Sequence, residues 1–219
     1  MTTIKFGTDG WRAGIAEDYT FPNVRLITQG VADYLHARGL AQRGMIVGYD
    51  TRFRSDDFAK AVAEVLAGNG IKSYLCDGPA PTPVSSFAIL DRHTGGGVNI
   101  TASHNPYTDD GYKLRSEHGG AADPEMLKEV EGRIAAVTQV RRHPLAEALS
   151  AGLVERFDPA PSYIAQVGKL VDLERLKWEG SEALTPGRHT VEFDFKYDGL
   201  GAGTLAFNNF SGVGRSGTG

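Results

Sequence analysis

Apolar positions along this chain follow first a helical period, then a strand-like one, and the two keep alternating. In TFPNVRLITQGVADYLHARG, Val24, Ile27, Val31, Tyr34 and Leu35 fall on one helical face. Pro22 stands near the start of that stretch and Gly39 just beyond it, as expected for helix ends. GMIVGYD is then a continuous apolar run that reads as a buried strand. Ser55 is the expected N-cap of a helix over DDFAKAVAEVLAGNG, whose early aspartates suit the positive end of the helix dipole. IKSYLC reads as a strand, TPVSSFAILDRH as a helix and GGVNITAS as a third strand. A further helix is expected over DPEMLKEVEGRIAAV, beginning near Asp123-Pro124. This rhythm predicts an α/β fold with a layered, mostly parallel sheet flanked by helices.

Beyond that the pattern loosens. Residues 139–158 hold no steady period, and a domain boundary is expected there. APSYIAQVGKLVDLERLKWEG reads as an amphipathic helix, and HTVEFDFKYDG alternates like an antiparallel strand. The last stretch, LGAGTLAFNNFSGVGRSGTG, is glycine-rich and shows no amphipathic helix. The expected partition is a first domain over 1–140, a linker and helix over 141–180 that open a partial second domain, and a β- and glycine-rich tail over 181–219.

Composition narrows the function classes. With 219 residues, 41% hydrophobic and 23% charged, the chain can bury a proper core. A net charge of −4 with scattered basic residues argues against a nucleic-acid partner. No apolar run approaches the roughly 18 residues of a membrane span, and MTTIKFGTDGWR has no signal-peptide core. A cytoplasmic location and no membrane partner are the resulting expectations. Cys76 is the single cysteine, which excludes an internal disulfide and a multi-cysteine zinc site; its place in KSYLCDG suggests a buried, inert thiol.

Three polar clusters fall where the loops of an α/β sheet should gather: GTDGWR (7–12), YDTRFRS (49–55) and TASHNPYTDDGYK (101–113). Arg12, Arg52, Arg54 and Lys113 would place cations around one cleft, which suits an anionic substrate such as a phosphate. Singly, each residue has a plainer reading. Arg12 or Arg52 fits a structural ion pair, His104 a hydrogen-bonded structural histidine, and Ser103 a loop serine. Ser103 lacks the Gly-x-Ser-x-Gly elbow of a hydrolase nucleophile. GAGTLA (201–206) is no dinucleotide site, because neither a helix pattern nor a ribose-binding acid follows it.

Together, FGTDGWR, VGYDTR, TASHNP and DGYK occur in the order and approximate spacing of the α-D-phosphohexomutases, the phosphoglucomutase/phosphomannomutase family. TASHNP resembles that family's phosphoserine loop. The resemblance is strong over about residues 3–140 and continues weakly to about 178. It implies that Ser103 carries a phosphoryl group and exchanges it with a hexose phosphate or bisphosphate, moving phosphate between C6 and C1. It further implies that Lys113 acts as general acid/base and that His104 assists. Arg12, Arg52, Thr101 and Asn105 would bind phosphate or substrate, or order the loop, and Asn105-Pro106 would fix the turn. Magnesium would meet this chain through the Ser103 phosphate.

The departures qualify this. In the family, magnesium is held by an Asp-Gly-Asp-Gly-Asp-Arg loop that has no counterpart here. Asp56-Asp57 and Asp109-Asp110 read instead as helix-start and turn residues. The family's sugar-recognition and second phosphate-binding loops are absent as well. The expectation is a first domain with the start of a second, not turning over sugar phosphate alone. Two alternatives stay open: a non-catalytic sugar-phosphate-binding fragment, or a misjoined chimeric product. The latter is suggested by a tail from about 186 that resembles the C-terminal segment of bacterial arylsulfatases. Which hexose phosphate is used stays open too.

Overall fold

The structure is a computed structural model that describes residues 4–171, 191–193 and 210–212. Along the chain run β1 (Trp11–Gly14), α1 (Phe21–Ala37), a 3-10 turn (Ala41–Arg43), β2 (Met45–Tyr49), α2 (Ser55–Gly68), β3 (Ser73–Cys76), α3 (Thr82–Asp91) and β4 (Gly97–Ile100). They are followed by β5 (Asp109–Arg115), α4 (Pro124–Ala136), α5 (Leu145–Ser150), β6 (Val154–Phe157) and α6 (Ala160–Leu170). Six strands form one sheet in the order β1-β5-β4-β2-β3-β6. The four strands β4, β2, β3 and β6 are mutually parallel, while β5 runs antiparallel to both β4 and β1.

Sequence-level signals explain the elements. Thr20 caps α1, Pro22 lies in its first turn, and Val24, Ile27, Val31, Tyr34 and Leu35 are all buried. Asp123 caps α4 by accepting the Met126 N–H at 2.8 Å. Alternate residues of a strand face opposite sides of the sheet, and β2 uses this twice. Met45 and Val47 enter the large core with α1, α2 and α4, whereas Ile46 enters a smaller core with Cys76, Ala88, Ile89 and Phe157. Helices therefore cover both faces, which is why the central strands read as uninterrupted apolar runs. Cys76 is buried as expected, and burial pushes its thiol up to about 12.

Four local readings are corrected. Asp109-Asp110 is no turn; these residues open β5, where pairing with Gly14 and Ala13 of β1 outweighs their turn preference. DGYK is strand rather than loop. GTDG precedes β1 and does not follow the carboxyl end of any strand. Ser55 is the first residue of α2 and does not cap it: the residue before it, Arg54, has a left-handed backbone (φ 62°), and the Ser55 hydroxyl turns to two carboxylates instead.

Segment 139–158, without a steady period, forms α5 and the edge strand β6, which pairs with β3. A short strand on a sheet edge needs few apolar positions, so its periodicity is faint. The compact unit runs from Met1 to Val171. In the second unit, Asp172–Gly219, Val191–Phe193 (β7) pairs antiparallel with Phe210–Gly212 (β8), in keeping with the alternation of HTVEFDFKYDG. Apart from these strands, the calls on the tail, including its likeness to arylsulfatases, lie outside the described residues.

Candidate active site

Parallel strands β2 and β4 have their carboxyl ends at the same end of the sheet, and their following loops, 50–54 and 101–108, meet there. The second loop ties β4 to its antiparallel neighbour β5, so both of its ends are fixed by sheet hydrogen bonds. Ser103 lies on this loop, exposed, with φ 59°. A left-handed backbone costs a non-glycine residue about 1–2 kcal/mol, so surrounding bonds must hold it. The Ser103 N–H donates to Thr101 Oγ1 at 3.0 Å, and the Asn105 N–H donates to the Ala102 carbonyl at 3.1 Å.

Arg52 contributes most of the bracing. Its Nη1 donates to the carbonyls of Pro106 (2.6 Å) and Asp109 (3.0 Å), and its Nη2 to those of Ser103 and Asn105 (both 2.8 Å). Its Nε pairs with Asp50 Oδ2 at 3.2 Å. One planar guanidinium thus gathers four loop carbonyls, which a single ammonium cannot do. Arg12 reaches the same loop from β1, donating from Nη1 to Asn105 Oδ1 at 2.8 Å. Asn105 Nδ2 in turn donates to Asp109 Oδ2 at 2.9 Å.

Arg12 can cross to the loop because its neighbour in the register is Gly111. A Cβ there would stand 2.5 Å from the Thr101 carbonyl oxygen and 3.1 Å from Arg12 Cγ. The other guanidinium arm of Arg12 lies 3.8 Å from Asp9. An open groove beside it is lined by Lys5, Gly7, Thr8, Asp9, Gly10 and Arg12.

Lys113 stands on β5 with its ammonium 2.6 Å from Asp9 Oδ2, and Arg115 Nη2 reaches Asp9 Oδ1 at 3.3 Å. Both cations are nearly buried, at 4% and 9% exposure. Burial by itself would raise the Asp9 carboxyl; the Lys113 hydrogen bond and the charges of Lys113, Arg115 and Arg12 outweigh it and hold it below the ordinary range. His104 is exposed and has no hydrogen-bond partner among the described residues. Arg54 does not join the cluster: it pairs with Asp57 at 3.0 Å and lies over the Phe21 ring.

Beneath the loop lies a polar core that the sequence did not single out. The Ser55 hydroxyl is 2.9 Å from Asp50 Oδ1 and 2.9 Å from Asp110 Oδ2. Asp110 is fully buried, and its Oδ1 accepts the Gly111 N–H at 2.7 Å. Burial, helped by the charge of Asp50, pushes Asp110 up to about 7 against the Gly111 N–H, the Ser55 hydroxyl and the charge of Arg52. Asp9, Asp50, Ser55 and Asp110 all stand inside the quoted motifs. In the sequence Ser55 reads as a helix cap and Asp110 as a turn residue. Nothing local marks Asp9 or Asp50, because Lys113 and Arg115, which pair with Asp9, and Asp110, which shares Ser55 with Asp50, are distant along the chain.

Among the described residues, no group of three or more His, Cys, Asp or Glu side chains is placed to hold a metal ion. The described residues therefore do not furnish a magnesium cage. The one expected point of contact is a phosphate carried by Ser103.

A helix-flanked sheet presenting a braced serine loop among arginines and lysine defines a class that comparison makes specific. The family model for phosphoglucomutase/phosphomannomutase, alpha/beta/alpha domain I, matches residues 3–141. The chain belongs to the phosphoglucomutase/phosphomannomutase family. It is 34% identical over 191 residues to a phosphoglucomutase of Komagataeibacter xylinus, covering 81% of this chain and 34% of that protein. It is 38% identical over 121 residues to a phosphomannomutase of Mycoplasma pneumoniae, covering 52% and 22%. A crystal structure of a phosphomannomutase-like protein from Thermus thermophilus superposes with TM-score 0.70 at 33% identity, over 80% of this chain and 38% of that one. The chain thus spans about a third or less of the length of the two curated relatives. Among the described residues, no helix is long and apolar enough to cross a membrane.

Proposed function

We propose that this chain is the phosphoserine-bearing part of a sugar phosphomutase, with Ser103 as the phosphoryl carrier. The observation that carries this reading is the presentation of Ser103: an exposed hydroxyl on a left-handed residue, whose loop is fixed by four carbonyl bonds from one guanidinium. Phosphoryl transfer depends on positioning and charge neutralisation more than on elaborate covalent chemistry. Such a loop holds the oxygen still without engaging the side chain that must react.

In the forward half-reaction a sugar hydroxyl oxygen bonds to phosphorus as the phosphorus–Oγ bond of phosphoserine breaks. The hydroxyl proton leaves to a base, for which exposed His104 is the nearest imidazole in sequence, and the departing Ser103 Oγ takes up a proton. In the return half-reaction Ser103 Oγ gives its proton to a base as it takes the other phosphoryl group of the bisphosphate, and the sugar oxygen left behind takes up a proton. Arg12, with an arm turned toward the groove, is the cation for the substrate's phosphate. Arg52, Thr101 and Asn105 serve as braces of the loop, since their polar atoms are bonded within it. Lys113, ion-paired to Asp9, supplies positive charge to the same region; acting as a proton donor would require that pair to separate. Magnesium belongs to the proposal at the Ser103 phosphate, with its carboxylates supplied from outside the described residues.

The test is incubation with glucose 1,6-bisphosphate and magnesium, followed by mass spectrometry of the chain. Phosphate on Ser103, lost in Ser103→Ala, supports phosphoryl transfer. Protection of the unlabelled chain from heat by sugar phosphate would favour the non-catalytic binding reading. Neither labelling nor protection would refute both.

A further inference from the structure

Two carboxylates share one hydroxyl under the serine loop, and the protons do not add up unless one of them is an acid. Ser55 has a single hydroxyl proton and can donate to one carboxylate. Its other contact, also 2.9 Å, joins two oxygens and needs a proton from the opposite side. Asp50 is surrounded by donors: its Oδ1 accepts the Arg52 N–H at 2.9 Å and its Oδ2 pairs with Arg52 Nε at 3.2 Å. That setting suits a carboxylate. Asp110 Oδ1 already accepts from Gly111, and Oδ2 faces Ser55 alone. The missing proton has one natural seat, on Asp110 Oδ2.

We propose that Asp110 is a positioning residue for the serine loop, held as a neutral acid that donates to Ser55. Ser55 then donates to Asp50, and the Asp50 carboxylate aligns Arg52 beneath the carbonyls of Ser103, Asn105, Pro106 and Asp109. The chain of bonds runs in one direction from a buried acid on β5 to the loop that carries Ser103. If Asp110 ionises, Ser55 is contested by two carboxylates, and Asp50 loses a donor while facing a like charge. The groups facing Asp110 are Asp50 and Arg52 from the loop after β2, Ser55 from α2, the Gly111 N–H, and the phenol of Tyr19, which donates to the Gly111 carbonyl at 2.9 Å. Arg52 is the cation among them, and it is already engaged by Asp50 and the loop.

The direction of the pH effect follows from linkage. Asp110 lies near 7 when buried, against 3.8 for a free aspartate. The loop-stabilising contribution is fully present below about 4 and is lost as pH rises through about 7. The consequence for phosphoryl transfer rests on the reading of Ser103 as carrier, but the hydrogen-bond chain does not.

The experiment follows the Asp110 side-chain carboxyl by carbon NMR on the full chain between pH 3 and 9, with Asp110→Asn identifying the signal. Alongside it, amide exchange of residues 101–109 is corrected for the intrinsic pH dependence. A carboxyl transition near pH 7 is expected, with loop protection falling about tenfold or more between pH 5.5 and pH 8. Asp110→Asn presents an N–H to Ser55 in place of the acid proton, and its loop protection should lose that pH dependence. Ser55→Ala should weaken protection at both pH values. A carboxyl transition in the ordinary range near 4 overturns the proposal, as does an Asp110→Asn loop that keeps the wild-type pH dependence. Neither measurement requires phosphoryl transfer, so failure of Ser103 to label in the bisphosphate experiment leaves this result separate.

Discussion

Replacing Arg52 by lysine tests whether the serine loop is held by geometry or by charge alone. The substitution keeps one positive charge but replaces two donor arms and Nε with a single ammonium. In the structure the arms are separated so that Nη1 serves Pro106 and Asp109 while Nη2 serves Ser103 and Asn105. An ammonium has only three protons, so of these four bonds and the Asp50 pairing at least two are lost. Hydrogen bonds to charged groups contribute about 1.5–3 kcal/mol each. The gross loss is therefore about 3–6 kcal/mol. Several of these carbonyls lie at the exposed edge and regain water, which brings the net loss nearer 1–3 kcal/mol of local stability. The loss should be local, because β4 and β5 keep their own pairing. Amide exchange should show residues 101–109 losing about tenfold to a hundredfold protection, with the α1 and β2 amides unchanged. The rate of Ser103 phosphorylation by glucose 1,6-bisphosphate should fall in step. Wild-type protection of the loop in Arg52→Lys would refute the reasoning and show that charge suffices.

Other consequences concern neighbouring residues. Asp9→Asn leaves the nearly buried Lys113 and Arg115 without their shared carboxylate. Asp9 is itself 38% exposed and solvent screens the charges, so the loss is about 1–3 kcal/mol, below the cost of breaking a fully buried pair, to be read as a lower urea midpoint at pH 7. Asp9 is held below its ordinary range, so its contribution is present above about 4 and fades as pH falls through its folded value; wild type and Asp9→Asn should converge in acid. Gly111→Ala would set a methyl against the Thr101 carbonyl, and a loss of about 1–3 kcal/mol in thermal or urea melts is expected. Cys76, pushed up to about 12 by burial, should ignore a disulfide thiol reagent in the native state and react once the chain is unfolded in urea.

Much of the fold was legible because helix and strand periods are local properties. The α1 stripe, the apolar run of β2 and the helix start near Asp123-Pro124 could each be seen within a short window, and each was found in place. β1 and β5 were missed because WRAG and DDGYKLR carry glycine and charge where a strand should be apolar. They become strands through pairing with partners distant in sequence, Trp11 with Tyr112 and Gly14 with Asp109. The edge strand β6 escaped notice for the related reason that half its side chains need no core.

The site divides along the same line. The motifs gathered Arg12, Arg52 and Lys113 around one cleft, and their resemblance to a family implied a phosphoryl-carrying role for Ser103, because recognition of a short segment needs no knowledge of what packs against it. They also placed the chain in its family. Tertiary structure alone decided how those side chains are engaged. Arg52 braces the loop from within, Lys113 and Arg115 are paired through Asp9, Arg54 is turned away, and Ser55 leaves its helix cap to join Asp50 and Asp110. The physical reason is that hydrogen bonding and ionisation are set by neighbours in space. Asp50, Ser55 and Asp110 are separated along the chain, and the pairing of β2, β4 and β5 brings them into one buried cluster.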